Sequence, residues 1–274
     1  MYIGHIDRLL EPFVRDEEEA RHAIRIFLTH VDRTISDSFC HADIGPYDTK
    51  AGRLILELSA QMQRPVPNMS LIYNGHTTDD FACMAIETGL ITAKPSFVND
   101  AMYTADWGPD YAIVSCYNAL PIGGGGLTLG RLNMRALGEA AVDREHFLNE
   151  LLPAAVAAQC EQMDKRDTYI FEEARFLENT FLSQEGLIHK DRFVGMFGLV
   201  GLAECVNTVQ KLDKPEERYG HGREAEDFAL MVLDRIHDQV SAYKPRYGSF
   251  AMHGQVGIST DTGVTPNTRI PVGE

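Results

Sequence analysis

Apolar residues recur at helical spacing in three stretches of the first third of the chain. Asp16 is placed to cap the first helix, and Glu19 is placed to close a capping box. A second helix is predicted from about Thr49, and a third after Thr77 or Thr78. The residues predicted to point inward are Ala20, Ile24, Phe27, Leu28 and Val31, then Leu54, Ile55, Leu58 and Met62, then Phe81, Met84, Ala85 and Thr88.

Short apolar runs separate these helices. Residues 69–73 are a predicted strand that ends at an Asn-Gly turn, and residues 96–100 form another short segment. Residues 111–115 are a further apolar run rich in strand-forming side chains. Residues 41–46 are predicted as a loop. Strands that alternate with helices indicate parallel strands joined by helical crossovers.

The second half of the chain is predicted to be mainly helical. Asp143 is placed to cap a long helix, and residues 224–240 have the pattern of an amphipathic helix. Residues 193–209 are apolar almost all round, with glycines at three-residue spacing, and are predicted as one buried helix. Residues 248–274 are rich in Gly, Thr and Pro, and we expect loop and a short strand there.

The charge and cysteine content exclude several classes of function. The formal net charge is −15, which argues against nucleic acid or an anionic membrane as a partner, because both need a basic surface. No apolar run approaches the length of a membrane span. The five cysteines are far apart and form no C-x-x-C pair, so we expect neither a disulfide framework nor a zinc site. A reducing cytoplasm is the expected compartment.

Cys116 ends the strand predicted at residues 111–115, and Gly123 to Gly126 follow it closely. A thiol at a strand end beside a permissive loop is a candidate for chemistry, although most cysteines pack as small hydrophobes. The glycines do not form a nucleotide-binding P-loop, because no G-K-[ST] follows them. A cysteine hydrolase with His76 or His253 as the base is one alternative.

Four stretches, in one order, resemble the glycyl radical enzymes, the superfamily of pyruvate formate-lyase and anaerobic ribonucleotide reductase. Residues 4–13 resemble G-x-x-D-x-x-L-x-P-[FY], and residues 65–70 resemble P-x-P-N-[LM]-[ST]. Residues 89–100 end in P-S-F-V-N-D and resemble the family's N-D segment. Residues 110–116, D-Y-A-I-V-S-C, resemble the segment that ends in the family's radical cysteine. The pattern around Cys116 is most similar to the YjjI-type subfamily.

The resemblance implies an α/β fold that is part of a ten-stranded barrel, a half-barrel of strands with many helices. It also implies a thiyl radical on Cys116 that abstracts hydrogen from a small-molecule substrate. The pocket residues that we expect beside it are His76, Asn99, Asp100, Tyr117 and Asn118. No cofactor is expected to bind this segment itself. The radical would be stored on a glycine outside the chain and installed by a radical SAM activating enzyme with a [4Fe-4S] cluster.

The sequence departs from the family pattern at two places. The radical lyases carry C-x-E, with glutamate as a base, whereas the third position here is Asn118, whose amide cannot take up a proton at neutral pH. The family's glycine motif, R-V-x-G-[YF], does not occur in these 274 residues. We therefore expect an internal fragment or a split gene product that needs the missing N- and C-terminal parts.

These features predict one domain over residues 1–274. Residues 1–130 would form the strand and helix half with the cysteine loop, residues 131–247 a mainly helical part, and residues 248–274 loop and short strand. A homodimer is a further expectation. The alternative to a radical enzyme segment is a catalytically silent relic, or a binding subunit that needs a partner chain.

Overall fold

The computed structural model describes residues 2–34, 40–114 and 118–253, and the chain divides into two compact units, residues 1–122 and 123–274. Cys116 and Tyr117 lie outside the described residues, as does the predicted tail beyond His253. The prediction that residues 1–274 form one domain stays a prediction, and each unit is described by itself.

The first unit alternates strands with helices. Its elements are β1 (Tyr2–Ile3), α1 (Ile6–Leu10), α2 (Glu17–Thr34), β2 (His41–Ile44), α3 (Lys50–Met62), β3 (Asn68–Tyr73), α4 (Asp79–Thr92), β4 (Ser96–Asn99), α5 (Asp100–Trp107), β5 (Tyr111–Val114) and β6 (Asn118–Pro121).

Strands β1 to β4 form one parallel sheet in the order β1-β2-β3-β4, and helices connect its successive strands. The predicted parallel strands with helical crossovers are therefore confirmed. One side of the sheet is apolar and packs on α1 to α4. Side chains buried in this core include Ile24, Leu28, Leu54, Ile55, Leu58, Phe81 and Ala85 from the helices and Ala42, Ile44, Met69 and Leu71 from the strands.

The predicted helix caps of this unit are confirmed. Asp16 Oδ1 accepts the Glu19 N–H at 2.8 Å, ahead of α2. Thr49 and Thr78 accept the N–H groups three residues further on, at 3.0 and 3.3 Å. These side chains satisfy amide groups that have no partner within the helix, which is why each helix begins where the sequence predicts.

The predicted loop at residues 41–46 is wrong. His41–Ile44 is strand β2, and all four of its residues are buried. The strand carries polar residues at alternate positions, so the sequence shows no apolar run there. Tertiary hydrogen bonds to these polar side chains, described below, are what allow the segment to lie inside the sheet.

Strands β5 and β6 form an antiparallel pair whose register joins Tyr111 to Pro121 and Val114 to Asn118. Tyr111, Ala112 and Ile113 are buried, which confirms the predicted strand as far as Val114. The residues that connect the two strands are 115–117. The predicted place of Cys116, on a loop that points into a barrel-like interior, falls on these residues and therefore lies outside the described structure.

The second unit contains a second parallel sheet and most of the longer helices. Its elements are β7 (Gly125–Asn133), α6 (Met134–Ala140), α7 (Arg144–His146), a π-helical turn (Phe147–Leu151), α8 (Leu152–Thr168), a second π-helical turn (Tyr169–Glu173), α9 (Phe181–Gln184), β8 (Phe193–Val200), α10 (Leu202–Gln210), α11 (Arg223–Ala242) and β9 (Ser249–His253).

The strand order in this sheet is β7-β8-β9, and both pairings are parallel. Its core joins Phe197 of β8 to one side of α8, α10 and α11. Asp143 caps α7 through the His146 N–H at 2.9 Å, as predicted. The predicted amphipathic helix at residues 224–240 is α11, which buries Phe228, Val232 and Ile236.

The predicted single helix at residues 193–209 is wrong. Its first part is the buried strand β8, and only the part after Gly201 is helical, as α10. A segment that is apolar on every side suits a buried parallel strand as well as a buried helix. The glycines at three-residue spacing serve close packing in the sheet, because a Cβ on Gly195 would lie 2.6 Å from the Phe250 ring.

Candidate functional site

The side of the first sheet opposite its helix core is polar. Because side chains alternate along a strand, His41 and Asp43 of β2 face away from the helices that bury Ala42 and Ile44. Across this polar side, the Asn68 amide nitrogen lies 3.3 Å from His41 Nε2. The hydroxyl groups of Ser70 and Ser96 are 3.0 Å apart.

Asp43 is the centre of the buried polar contacts on this side. Its Oδ2 accepts the Tyr2 hydroxyl, and its Oδ1 accepts the His5 backbone N–H at 2.6 Å. The His5 ring nitrogen Nδ1 lies 3.5 Å from the same Oδ1. Burial raises the pKa of Asp43, and the nearby Asp7 carboxylate raises it further, while the bonds from Tyr2 and His5 oppose the rise.

Asp7 is a second fully buried carboxyl group in this cluster. Its Oδ2 accepts the Gly45 N–H and the Thr49 hydroxyl, each at 3.1 Å. Its Oδ1 is buried without a hydrogen-bond partner among the described residues. Burial is the largest cause of a raised pKa at Asp7, because an ionised carboxylate loses its hydration there.

Strand β5 contacts β1 and β2 next to this cluster. Tyr111 and Ile113 pack with Val98 of β4 and with Ala119 of β6. The pKa of Tyr2 is raised by burial first and by the Asp43 carboxylate second, and the Ile113 backbone opposes the rise. The antiparallel pair that leads to residues 115–117 therefore meets the Tyr2–Asp43 contact at Ile113.

Asp100 anchors the start of β5 to the carboxyl ends of β3 and β4. Its Oδ1 accepts the Tyr111 hydroxyl at 2.7 Å and the Thr104 hydroxyl at 3.3 Å, and its Oδ2 accepts the Asn74 amide at 2.8 Å. Burial raises the pKa of Asp100, but these bonds outweigh it and the pKa lies below its usual value. Both oxygens of this predicted pocket residue are therefore used within the protein.

The other predicted site residues have different surroundings. Asn99 is exposed and caps α5 by accepting the Met102 N–H at 3.2 Å. His76 is exposed on the turn after β3, and its ring stacks on Tyr47 with 5.3 Å between centroids. Asn118 is half-buried at the start of β6. Their roles in substrate binding stay predictions.

The remaining thiols have surroundings typical of structural cysteines. Cys40, Cys160 and Cys205 are buried, and burial raises the pKa of Cys160 to about 11 and that of Cys205 to about 12. Such thiols stay protonated at neutral pH and react slowly. Cys83 is exposed on α4.

Sequence reasoning missed Tyr2 and Asp43, although it noted the His41-x-Asp43 spacing as a weak metal pair. Within the described ranges, no group of three or more His, Cys, Asp or Glu side chains is arranged to hold a metal ion. The useful signal was the alternation itself, because polar residues at every second position are typical of a strand with one polar side.

A family model described as glycyl radical enzyme YjjI-like matches residues 1–274. The chain belongs to the YjjI-like glycyl radical enzyme family. An uncharacterised protein of Haemophilus influenzae is 41% identical over 283 residues, which cover 100% of this chain and 55% of that protein. The uncharacterised protein YjjI of Escherichia coli is 36% identical, over 100% of this chain and 54% of its own length. The chain thus spans about half the length of these relatives.

A solved structure supports the same assignment at the level of fold. The anaerobic ribonucleotide reductase of Thermotoga maritima, solved with citrate in its active site, is similar with a TM-score of 0.68 at 14% identity. The similarity covers 90% of this chain and 51% of that one. The α/β fold with parallel sheets and many helices therefore matches the barrel structures of glycyl radical enzymes. Among the described residues, no helix is long and apolar enough to cross a membrane.

Proposed function

We propose that this chain is the cysteine-bearing segment of a glycyl radical enzyme, in which a Cys116 thiyl radical abstracts hydrogen from a small-molecule substrate. The observation that carries the proposal is the antiparallel pair β5–β6, which lies against the polar side of a parallel sheet. Cys116 belongs to the three residues that connect these strands. Membership of the family supports the general class of reaction.

The radical would be stored on a glycine outside this chain and installed by a radical SAM activating enzyme. In the step at Cys116, one substrate C–H bond breaks and one S–H bond forms. The protein has to hold that C–H bond beside the sulfur and keep water away. The bonds from Asp100 to Tyr111, Thr104 and Asn74 hold the start of β5, and the buried Ile113 excludes water next to the connection.

Electron paramagnetic resonance of the full-length protein tests this proposal without a known substrate. A thiol hydrogen exchanges with solvent, so repeated hydrogen transfer between Cys116 and the radical glycine carries deuterium from D₂O to that glycine. We expect the glycyl signal to lose its α-hydrogen splitting in D₂O. Cys116→Ala should keep the radical but abolish this exchange.

Cys83→Ala is the matched control, because Cys83 is an exposed thiol on the outer helix α4. It should exchange like the wild type. If Cys116→Ala exchanges at the wild-type rate, another thiol carries the radical and the proposal is wrong.

Asn118 is proposed to orient the substrate by hydrogen bonding rather than to act as a base. Loss of one such bond costs about 1–3 kcal/mol, so Asn118→Ala should lower turnover by roughly 5- to 150-fold. The glycyl radical and the Cys116-dependent deuterium exchange should remain. Asn118→Ala with unchanged turnover would remove Asn118 from the site.

A further inference from the structure

We propose that Asp43 and the Tyr2 hydroxyl form the proton-accepting pair of this site, the role for which Asn118 is unsuited. The inference rests on the proposed function, since it assigns an acid–base group to the same centre. Radical chemistry at a carbon that bears a hydroxyl or amino group needs a base for the adjacent proton. An amide has no such capacity at neutral pH.

Position is the first reason to choose this pair. Asp43 is fully buried on the polar side of the sheet, and β5 crosses the same side. Tyr2 is half-buried, and its hydroxyl lies between the Asp43 carboxylate and the Ile113 backbone. Ile113 is three residues before Cys116 in the chain. The phenol is thus the member of the pair that can meet a substrate, and the carboxylate acts through it.

The surroundings favour reversible protonation of Asp43. Its oxygens are held by the Tyr2 hydroxyl and the His5 N–H, so the group stays in place whether or not it carries a proton. The other titratable groups near it are the His5 ring, Asp7 from α1 and Tyr111 from β5. His41 precedes it by two residues on the same side of β2. Burial and the like charge of Asp7 both favour the protonated form.

The proposed step is a proton relay that balances without any further reactant. The substrate O–H or N–H bond next to the radical carbon breaks, and its proton goes to the Tyr2 oxygen. The original Tyr2 proton moves to Asp43 Oδ2, so the phenol is restored and the carboxyl group becomes neutral. The proton returns by the same path to the product or its leaving group. Asp43 is therefore a positioning and proton-holding residue, and Tyr2 is the group that contacts the substrate.

Other carboxyl groups near the site fit the role less well. Asp100 uses both oxygens to hold Tyr111, Thr104 and Asn74, and its pKa lies below its usual value. Asp7 directs Oδ2 to Gly45 and Thr49, away from any hydroxyl that could relay a proton to the substrate. Of the buried carboxyl groups described in this unit, Asp43 is bonded to a tyrosine that also reaches β5.

Difference infrared titration of the full-length protein tests the pair directly. We expect the carbonyl band of a protonated carboxyl group that titrates above the usual aspartate range and disappears in Asp43→Asn. Tyr2→Phe should move this titration to higher pH, because it removes a donor to the carboxylate. Asp7→Asn should move it to lower pH, because it removes a like charge. Asp106→Asn, an exposed position on α5, is the control and should change nothing.

Asp43→Asn should fold, because its amide can still accept the His5 N–H and can donate to the Tyr2 oxygen. Tyr2→Phe provides a second test that keeps the ring packing. If the spectra of wild type and Asp43→Asn superimpose across the titration, the proposal is overturned. An Asp43 band that Tyr2→Phe leaves in place contradicts the relay.

Turnover of ethylene glycol and 1,2-propanediol, as diol probes, gives a second readout. Asp43→Asn should keep the glycyl radical and its deuterium exchange but lose at least about 100-fold in diol turnover. Loss of the exchange as well would indicate a merely structural role and overturn the proposal. If the wild type converts neither diol, the infrared result decides. Failure of the proposed function is a separate outcome, since it appears as a wild type without Cys116-dependent exchange.

Discussion

Buried aspartates of this chain differ by whether donors reach both oxygens. Asp100 is met by three donors and has a lowered pKa. Asp167, on α8 in the second unit, is almost fully buried, and its Oδ1 has no partner among the described residues. Burial first, and the neighbouring Asp164 second, raise the pKa of Asp167 to about 7. Donors, rather than depth alone, thus decide the direction of the shift.

Asp167→Asn should change how stability depends on pH. A carboxyl group whose pKa is higher in the folded state binds protons more tightly there, so the wild type loses stability as pH rises from about 4 through about 7. The variant lacks this loss and should be more stable than the wild type at pH 8, by at most about 4 kcal/mol. Urea unfolding at a series of pH values measures the difference.

Asp227→Asn, at an exposed position on α11, is the matched control and should follow the wild-type pH dependence. Parallel stability curves for the wild type and Asp167→Asn would show that Asp167 does not titrate in this range.

At the scale of elements, backbone contacts decide where β7 and β8 meet. Gly124 precedes β7, and a Cβ there would lie 1.8 Å from the Arg192 carbonyl oxygen, just before β8. The Gly123 carbonyl accepts the His189 N–H at 2.7 Å in the same region. The glycine run therefore serves a close approach of two backbones, a use that its sequence shares with many glycine-rich loops.

Gly124→Ala should destabilise the protein by about 3 kcal/mol, because the added methyl group meets a backbone carbonyl that cannot rotate away. Gly75→Ala is the control: a Cβ there meets nothing within 4 Å, and the change should stay within about 0.5 kcal/mol. Urea unfolding of both variants gives the comparison. Equal midpoints for the two would contradict the contact at Arg192.

At the scale of the whole molecule, the chain holds two parallel sheets, one in each compact unit. Its relatives are nearly twice as long, and the sequence has no R-V-x-G-[YF] motif. The segment therefore carries the proposed thiol and its polar surroundings without a recognisable glycine site.

We expect the 274-residue chain alone to show no glycyl radical after treatment with a radical SAM activating enzyme. Full-length protein, treated in parallel, is the control and should give the radical signal. Electron paramagnetic resonance distinguishes the two. A glycyl signal from the 274-residue chain would mean that one of its own glycines serves, and the proposed division of roles would be wrong.

Local signals in the sequence were enough for the caps, the crossover pattern, the strand at Tyr111 and the family. Each depends on neighbours in the chain: a capping side chain reaches three residues ahead, and apolar periodicity records one buried side. Strands β2 and β8 were missed because local sequence cannot show what surrounds a segment. His41 and Asp43 lie in a buried strand only because distant donors satisfy them. The all-apolar β8 is a strand only because β7 and β9 pair with it. The Tyr2–Asp43 contact joins residues 41 positions apart, so only the tertiary structure could bring it together.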